Sequence, residues 1–159
     1  QRNSVSRKTI YQLLSETPEQ AIRVYDINLR QGFFSRASIA QSLKFANVLK
    51  VNADELEVLT ELFSLVGTDK QKLHQLADVY QLNVAVLTRG QKGSFLYQDQ
   101  HCFFEPARRI EVVDTVGAGD AFTAALTVGL AQGLSSEAAH TLAADLAADV
   151  CSQSGAMPQ

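Results

Sequence analysis

The chain has 159 residues, enough for one domain with a sizeable core, and 46% of them are apolar against 19% charged, the balance of a globular domain rather than a disordered one. Its 14 basic and 17 acidic residues leave a net charge of −3 with neither sign gathered in a block, which argues against nucleic acid as a partner. No apolar run approaches a membrane span, QRNSVSRKTI at the start is no signal peptide, and Cys102 and Cys151 form neither a CxxC pair nor a zinc spacing, so they read as free thiols in a reducing cytoplasm.

In chain order, residues 6–17 carry Ile10, Leu13 and Leu14 at helical spacing, with Pro18 beyond their end. AIRVYDIN, residues 21–28, alternates and is β-branched enough for a strand. It runs into Asp26-Ile27-Asn28-Leu29-Arg30, polar groups past a strand's carboxyl end. Open α/β sheets bind ligands there, and ordinary solvated loops look the same. Residues 35–46 form a helix with Ser35 as N-cap, 47–52 a short strand and 53–63 a second helix. Asn52 followed three residues later by Glu55 has the pattern of a capping box, and Thr68 with Gln71 repeats it at the start of a helix ending at Tyr80. NVAVLTRG, residues 83–90, is a buried strand that leads into Thr88-Arg89-Gly90-Gln91-Lys92-Gly93 and the hairpin SFLYQDQHCFFEP. Glycines three apart suit a tight turn, and Arg89 and Lys92 read as exposed, solvated cations. A helix to Gln132 ends at Gly133 as its C′ residue, and Ser135 or Ser136 caps the last helix. There Ala138, Ala139, Leu142, Ala143, Leu146, Ala147 and Val150 recur as a core stripe. His74, His101 and His140 share no spacing that suggests metal or triad chemistry. Strands alternating with helices, then a hairpin and two helices, predict an α/β sheet flanked by helices.

The chemistry gathers in DTVGAGDAF, residues 114–122. Glycines permit a tight turn and close approach of a ligand to the backbone. The helix that follows offers unpartnered N–H groups and partial positive charge, together an anion site. Asp120 is unusual in that setting, since a carboxylate repels phosphate unless it is there to take a proton. Asp is also favoured in a helix's first turn, and Gly-Ala-Gly also allows close helix–strand packing, so the residues alone leave both readings open. The stretch is not a Walker A loop, because no Lys-Ser/Thr follows. Nor is it a GxGxxG fingerprint, because Phe122 stands where the third Gly would be.

Asp-Thr-x-Gly-Ala-Gly-Asp before an apolar helix resembles the C-terminal signature of the ribokinase-like (phosphofructokinase B type) carbohydrate kinases. Asp26-x-Asn28-x-Arg30 resembles a segment of members close to fructokinase, with Ile27 where proline is frequent. The resemblance implies a ribokinase-like three-layer α/β/α sheet and an ATP-dependent sugar kinase acting on a hydroxymethyl group. Asp120 would be the base, and the N–H groups of Gly117, Ala118 and Gly119 the anion hole. Thr88, Gly90, Gly93 and Asn52 fall on the nucleotide side, with Cys151, Gly155 and Ala156 toward the adenine. Asn28 and Arg30 join Asp120 on the substrate side. Glu55, in an Asn-x-x-Glu motif, would reach Mg²⁺ through water, which suits an ion that keeps most of its waters. Asp114 would lie at a monovalent-cation site for K⁺. Residues 1–159 then read as the C-terminal nucleotide-binding and catalytic portion of a single kinase domain, its sugar-binding half and lid absent. The partners implied are a small-molecule sugar and ATP in the cytoplasm, with no membrane or nucleic acid, and a homodimer of the full-length protein. The alternatives are a nucleoside kinase of the same family and a non-catalytic nucleotide sensor of kinase-like fold.

Overall fold

The structure is a computed structural model that describes residues 3–29 and 34–155. Arg30 and Ala156, both expected at the site, lie outside the described residues. Among the described residues, five strands form one sheet in the order β1-β2-β3-β4-β5. They are β1 (Val24–Asp26), β2 (Val48–Asn52), β3 (Val84–Thr88), β4 (Ser94–Gln98) and β5 (His101–Glu105). The first three run parallel, and β4 and β5 add antiparallel neighbours.

Alternation along the strands sends side chains to opposite faces. Leu49, Val51, Ala85, Leu87, Phe95 and Tyr97 meet helices α2 (Arg36–Phe45), α3 (Ala53–Phe63) and α4 (Asp69–Tyr80) through Leu43, Leu59, Leu73 and Leu76. Val48, Val84, Val86 and Leu96 meet α5 (Ala118–Ala131) and α6 (Ser136–Cys151) through Phe122, Leu126, Ala139 and Ala143. The result is the three-layer α/β/α arrangement expected. Among the described residues no helix is long and apolar enough to cross a membrane.

The caps form as their residues dictate. Ser35, Asn52 and Thr68 each accept the amide of the residue three ahead, and Ser38, Glu55 and Gln71 reach back to the cap amides. Gly133, at φ 81, ends α5, with Leu134 N–H donating to the Gly129 carbonyl at 3.0 Å. The β4–β5 hairpin closes through Asp99 and Gln100, both at positive φ (48° and 66°), the backbone of a type I′ turn.

Two expectations need correction. The strand over 21–28 shortens to Val24–Asp26. Before it, the Arg23 carbonyl still takes the Asn47 and Val48 amides, but the Asn47 side chain accepts from Arg23 N–H and donates to the Ala21 carbonyl, both at 2.8 Å. After it, Asn28 turns to φ 43. The helical spacing over residues 6–17 does form a helix, α1 (Ser4–Glu16), capped by Asn3; it buries none of its residues, and Ile10 and Leu13 stay exposed. In α6 the buried row is Ala139, His140, Ala143 and Val150, while Leu142 and Leu146 face outward. The small row is the one that fits, because a Cβ on Gly129 of α5 would already stand 2.9 Å from the Ala139 Cβ.

Candidate active site

The sheet register gathers polar residues along one edge. Asn52 pairs with Thr88, Thr88 with Ser94 and Ser94 with Glu105, so four polar side chains line up at the carboxyl ends of the parallel strands. Open α/β sheets place ligands at this edge. Two residues back, Asp26 of β1 pairs with Lys50 of β2.

The glycine turn arrives over this edge from the α5 side, and its approach is pinned. The Asp114 carboxylate accepts from Val116 N–H at 3.0 Å and Gly155 N–H at 3.2 Å. Those two amides hold its pKa below the usual carboxylate range. The Cys151 carbonyl takes the amides of Val113 (2.9 Å) and Asp114 (3.3 Å). Gly117, the N-cap of α5, sits at φ 85, a conformation glycine adopts without cost. Ala118 N–H turns back to the Thr115 carbonyl at 3.3 Å, and Ala121 N–H reaches the Gly117 carbonyl at 2.8 Å. Among the described residues the N–H groups of Gly117, Gly119 and Asp120 have no acceptor. The open donors are therefore not the trio expected, since Ala118 is engaged and Asp120 adds its own amide. The Asp120 side chain is exposed in the first turn of α5.

A cavity of ≈ 270 Å³ opens beside the turn. Thr88, Gly90 and Gly93 line one side, Ala118 and Gly119 another, and Ala147 and Cys151 of α6 an apolar end. Burial raises the Cys151 pKa and keeps it a thiol. Asp120, Asn28, Asn52, Glu55, Asp114 and Gly155 are not among its walls. The loop after β3 is closed by its own backbone. Gly93 N–H donates to the Gly90 carbonyl at 3.0 Å, and a Cβ on Gly93 (φ 79) would stand 2.3 Å from the Glu105 carbonyl oxygen. Arg89 corrects another expectation. It is not a solvated cation, because its guanidinium lies 4.1 Å from the Phe95 ring centroid and donates to the Lys92 carbonyl at 3.0 Å.

Glu55 is buried and structurally committed. One carboxylate oxygen accepts from Asn52 N–H at 2.8 Å and the other from Leu29 N–H at 3.1 Å. Asn52 in turn accepts Glu55 N–H at 2.9 Å. Among the described residues no three His, Cys, Asp or Glu side chains cluster to hold a metal. A magnesium ion here would therefore have to be carried by phosphate oxygens and water rather than by a set of protein ligands.

Two groups escaped the sequence reading. Lys50, 5% exposed, holds Asp26 with Nζ 3.2 Å from both oxygens, and Thr123 of α5 donates to the same carboxylate at 2.7 Å. The one available sign was a lysine inside the apolar strand NVLKVN. His140, 1% exposed, has Nε2 2.7 Å from Oγ of Ser94, which lines the cavity. Burial pushes the His140 pKa down to about 4, with Glu105 acting the other way.

An open helix N-terminus on the carboxyl edge of a sheet covered on both faces, beside a pocket with one apolar end, has the build of an α/β domain for a phosphorylated small molecule. The chain belongs to the pfkB family of carbohydrate kinases, whose model matches residues 3–159. It is 32% identical over 111 residues to fructokinase-1 of Oryza sativa subsp. japonica, covering 67% of this chain and 33% of the relative. The aminoimidazole riboside kinase of Salmonella enterica, solved with aminoimidazole riboside and an ATP analogue, superposes at TM-score 0.82 and 26% identity. That match covers 98% of this chain and 54% of the other. A double mutant of Vibrio cholerae O395 fructokinase with fructose, ADP and potassium superposes at TM-score 0.80 and 25% identity, covering 98% of this chain and 53% of that one. The chain thus spans about a third of the curated relative's length and about half of each solved one.

Proposed function

We propose that these residues supply the nucleotide-binding and catalytic portion of an ATP-dependent kinase that phosphorylates a hydroxymethyl group of a sugar. The sugar-binding side would correspond to the part of the relatives that this chain does not match. One observation carries the reading. The turn with the open Gly119 and Asp120 amides forms a wall of the cavity, while the exposed Asp120 carboxylate stands outside that cavity. Nucleotide phosphates in the cavity and an acceptor hydroxyl at Asp120 then approach the turn from different sides, as in-line displacement needs.

In that arrangement the acceptor oxygen attacks the γ-phosphorus, the bond to the β,γ-bridging oxygen breaks, and the hydroxyl proton passes to Asp120. Full proton transfer at the outset would ask for a strong base. The transition state is loose, however, and the hydroxyl keeps its proton until late, so Asp120 chiefly orients it. The open amides face the charge on the transferring group. Thr88, Gly90 and Gly93 border the phosphates, and Ala147 with Cys151 make an apolar end suited to a base. Mg²⁺ bound with the nucleotide would neutralise phosphate charge. Asp114, tied between two amides, would border a monovalent cation. ADP, an ATP analogue and potassium in the neighbouring structures support the nucleotide and cation assignments.

A ribosyl acceptor is the second reading, supported by 33% identity over 108 residues to the aminoimidazole riboside kinase of Salmonella typhimurium. ADP release by the intact protein with ATP and Mg²⁺ against a panel of sugars and nucleosides separates the two. Asp120→Asn should lower kcat at least about 100-fold, the usual size of a general-base contribution, and leave the KM for ATP within about twofold. Near-normal turnover by that variant removes Asp120 from the mechanism.

A further inference from the structure

Lys50 stands between the buried Leu49 and Val51, and its side chain crosses the sheet face toward α5 rather than reaching solvent. The β1–β2 register sets it beside Asp26, whose two oxygens each lie 3.2 Å from Nζ. Thr123, in the second turn of α5, lies 2.7 Å from Asp26 Oδ2 and 3.0 Å from the Gly119 carbonyl. Its hydroxyl has one proton, and the shorter contact to a charged acceptor takes it. A Cβ on Gly119 would stand 3.3 Å from Lys50 Nζ, so the ammonium forms the floor under Gly119, one residue before Asp120.

Stability does not call for this arrangement. An ammonium beneath the positive end of a helix is unfavourable by itself. A buried ion pair is often no better than apolar residues of the same size. What the network adds is direction. Hydrogen bonds to Asp26 have a fixed geometry, whereas apolar packing against the backbone of two glycines leaves the first turn free to slide.

We propose that Lys50, Asp26 and Thr123 are positioning residues: they fix the height and rotation of the first turn of α5 over β1 and β2. The open amides and the Asp120 carboxylate are thereby held for the transferring group and the acceptor. The inference rests on the kinase reading above and adds to it a link from the sheet to the catalytic turn. The network does not line the cavity, so its loss should appear in kcat and not in the KM for ATP.

The test is made on the intact protein with the acceptor that the wild type turns over. Thr123→Val removes the hydroxyl and keeps the branched shape, whereas Thr123→Ser keeps the hydroxyl. Thr123→Val should lower kcat about tenfold or more, within the roughly 100-fold that a misplacement of 1 Å can cause. The KM for ATP should stay within about twofold, and Thr123→Ser should recover most of the loss. Asp26→Asn with Lys50→Met removes both charges together and serves if the valine variant does not fold. It should show the same fall in kcat at unchanged KM. Equal kcat for the valine and serine variants overturns the proposal, and so does a raised KM for ATP with kcat intact. A wild type with no turnover on any sugar or nucleoside overturns the kinase reading and this inference with it. A wild type that turns over, with Asp120→Asn inactive and Thr123→Val normal, overturns the positioning role alone.

Discussion

His140 gives the sharpest test of how the interior is built. The ring is 1% exposed on α6, with Nε2 2.7 Å from Ser94 Oγ and the Phe122 ring set edge-on at 6.0 Å between centroids. Burial lowers its pKa from 6.5 to about 4, and only Glu105 opposes the shift. Between those two values the unfolded chain binds a proton that the folded chain refuses. Stability is therefore full above the unfolded pKa and falls as pH drops toward the folded one. Each unit of that window is worth about 1.4 kcal/mol, so the loss near pH 4.5 should reach about 2–3 kcal/mol. That is a large part of the roughly 5–15 kcal/mol that holds a domain folded. His140→Gln keeps a neutral hydrogen-bonding group of similar size and does not titrate. Urea denaturation of both proteins between about pH 7.5 and pH 4.5 isolates the effect, because the carboxylates common to both cancel in the difference. The wild type should lose about 2–3 kcal/mol more than the variant over that range. Parallel stability curves would refute the buried neutral imidazole.

Two further predictions address the loops of the site. Gly93→Ala puts a methyl group 2.3 Å from the Glu105 carbonyl oxygen at φ 79. It should destabilise the domain by on the order of 3 kcal/mol, and an unchanged denaturation midpoint would show that the loop after β3 is not held as described. Glu55→Ala leaves the Asn52 and Leu29 amides without their acceptor. It should cost about 2–4 kcal/mol with or without Mg²⁺, and intact stability with weakened Mg²⁺ dependence would instead assign Glu55 to the metal alone.

What was legible in the sequence was local. Ser35, Asn52 and Thr68 cap helices because each contact spans three residues, and Gly133 ends α5 for the same reason. Lys50 was opaque because its meaning depends on Asp26, 24 residues earlier, and on Thr123, whose contact with Asp26 spans 97 residues. His140 pairs with Ser94 across 46 residues, a separation at which spacing carries no information. In α6 the rows Ala138-Leu142-Leu146 and Ala139-Ala143-Val150 are adjacent at helical period. Only the closeness of Gly129 decides between them. The sequence does not reveal which amides of the glycine turn stay open, since the Thr115 carbonyl that engages Ala118 N–H belongs to a loop without periodicity.

The two-residue bend at Asp99 and Gln100 lies at the opposite end of β4 from Ser94, about 14 Å away for a strand of this length. Pairing in a ribbon can only be out of step by whole residues, and one step would turn Ser94 away from His140 and the cavity wall. The solvent-facing tip thus keeps time for the ligand edge: the left-handed backbone of Asp99 and Gln100 decides which way the far end of its own strand looks.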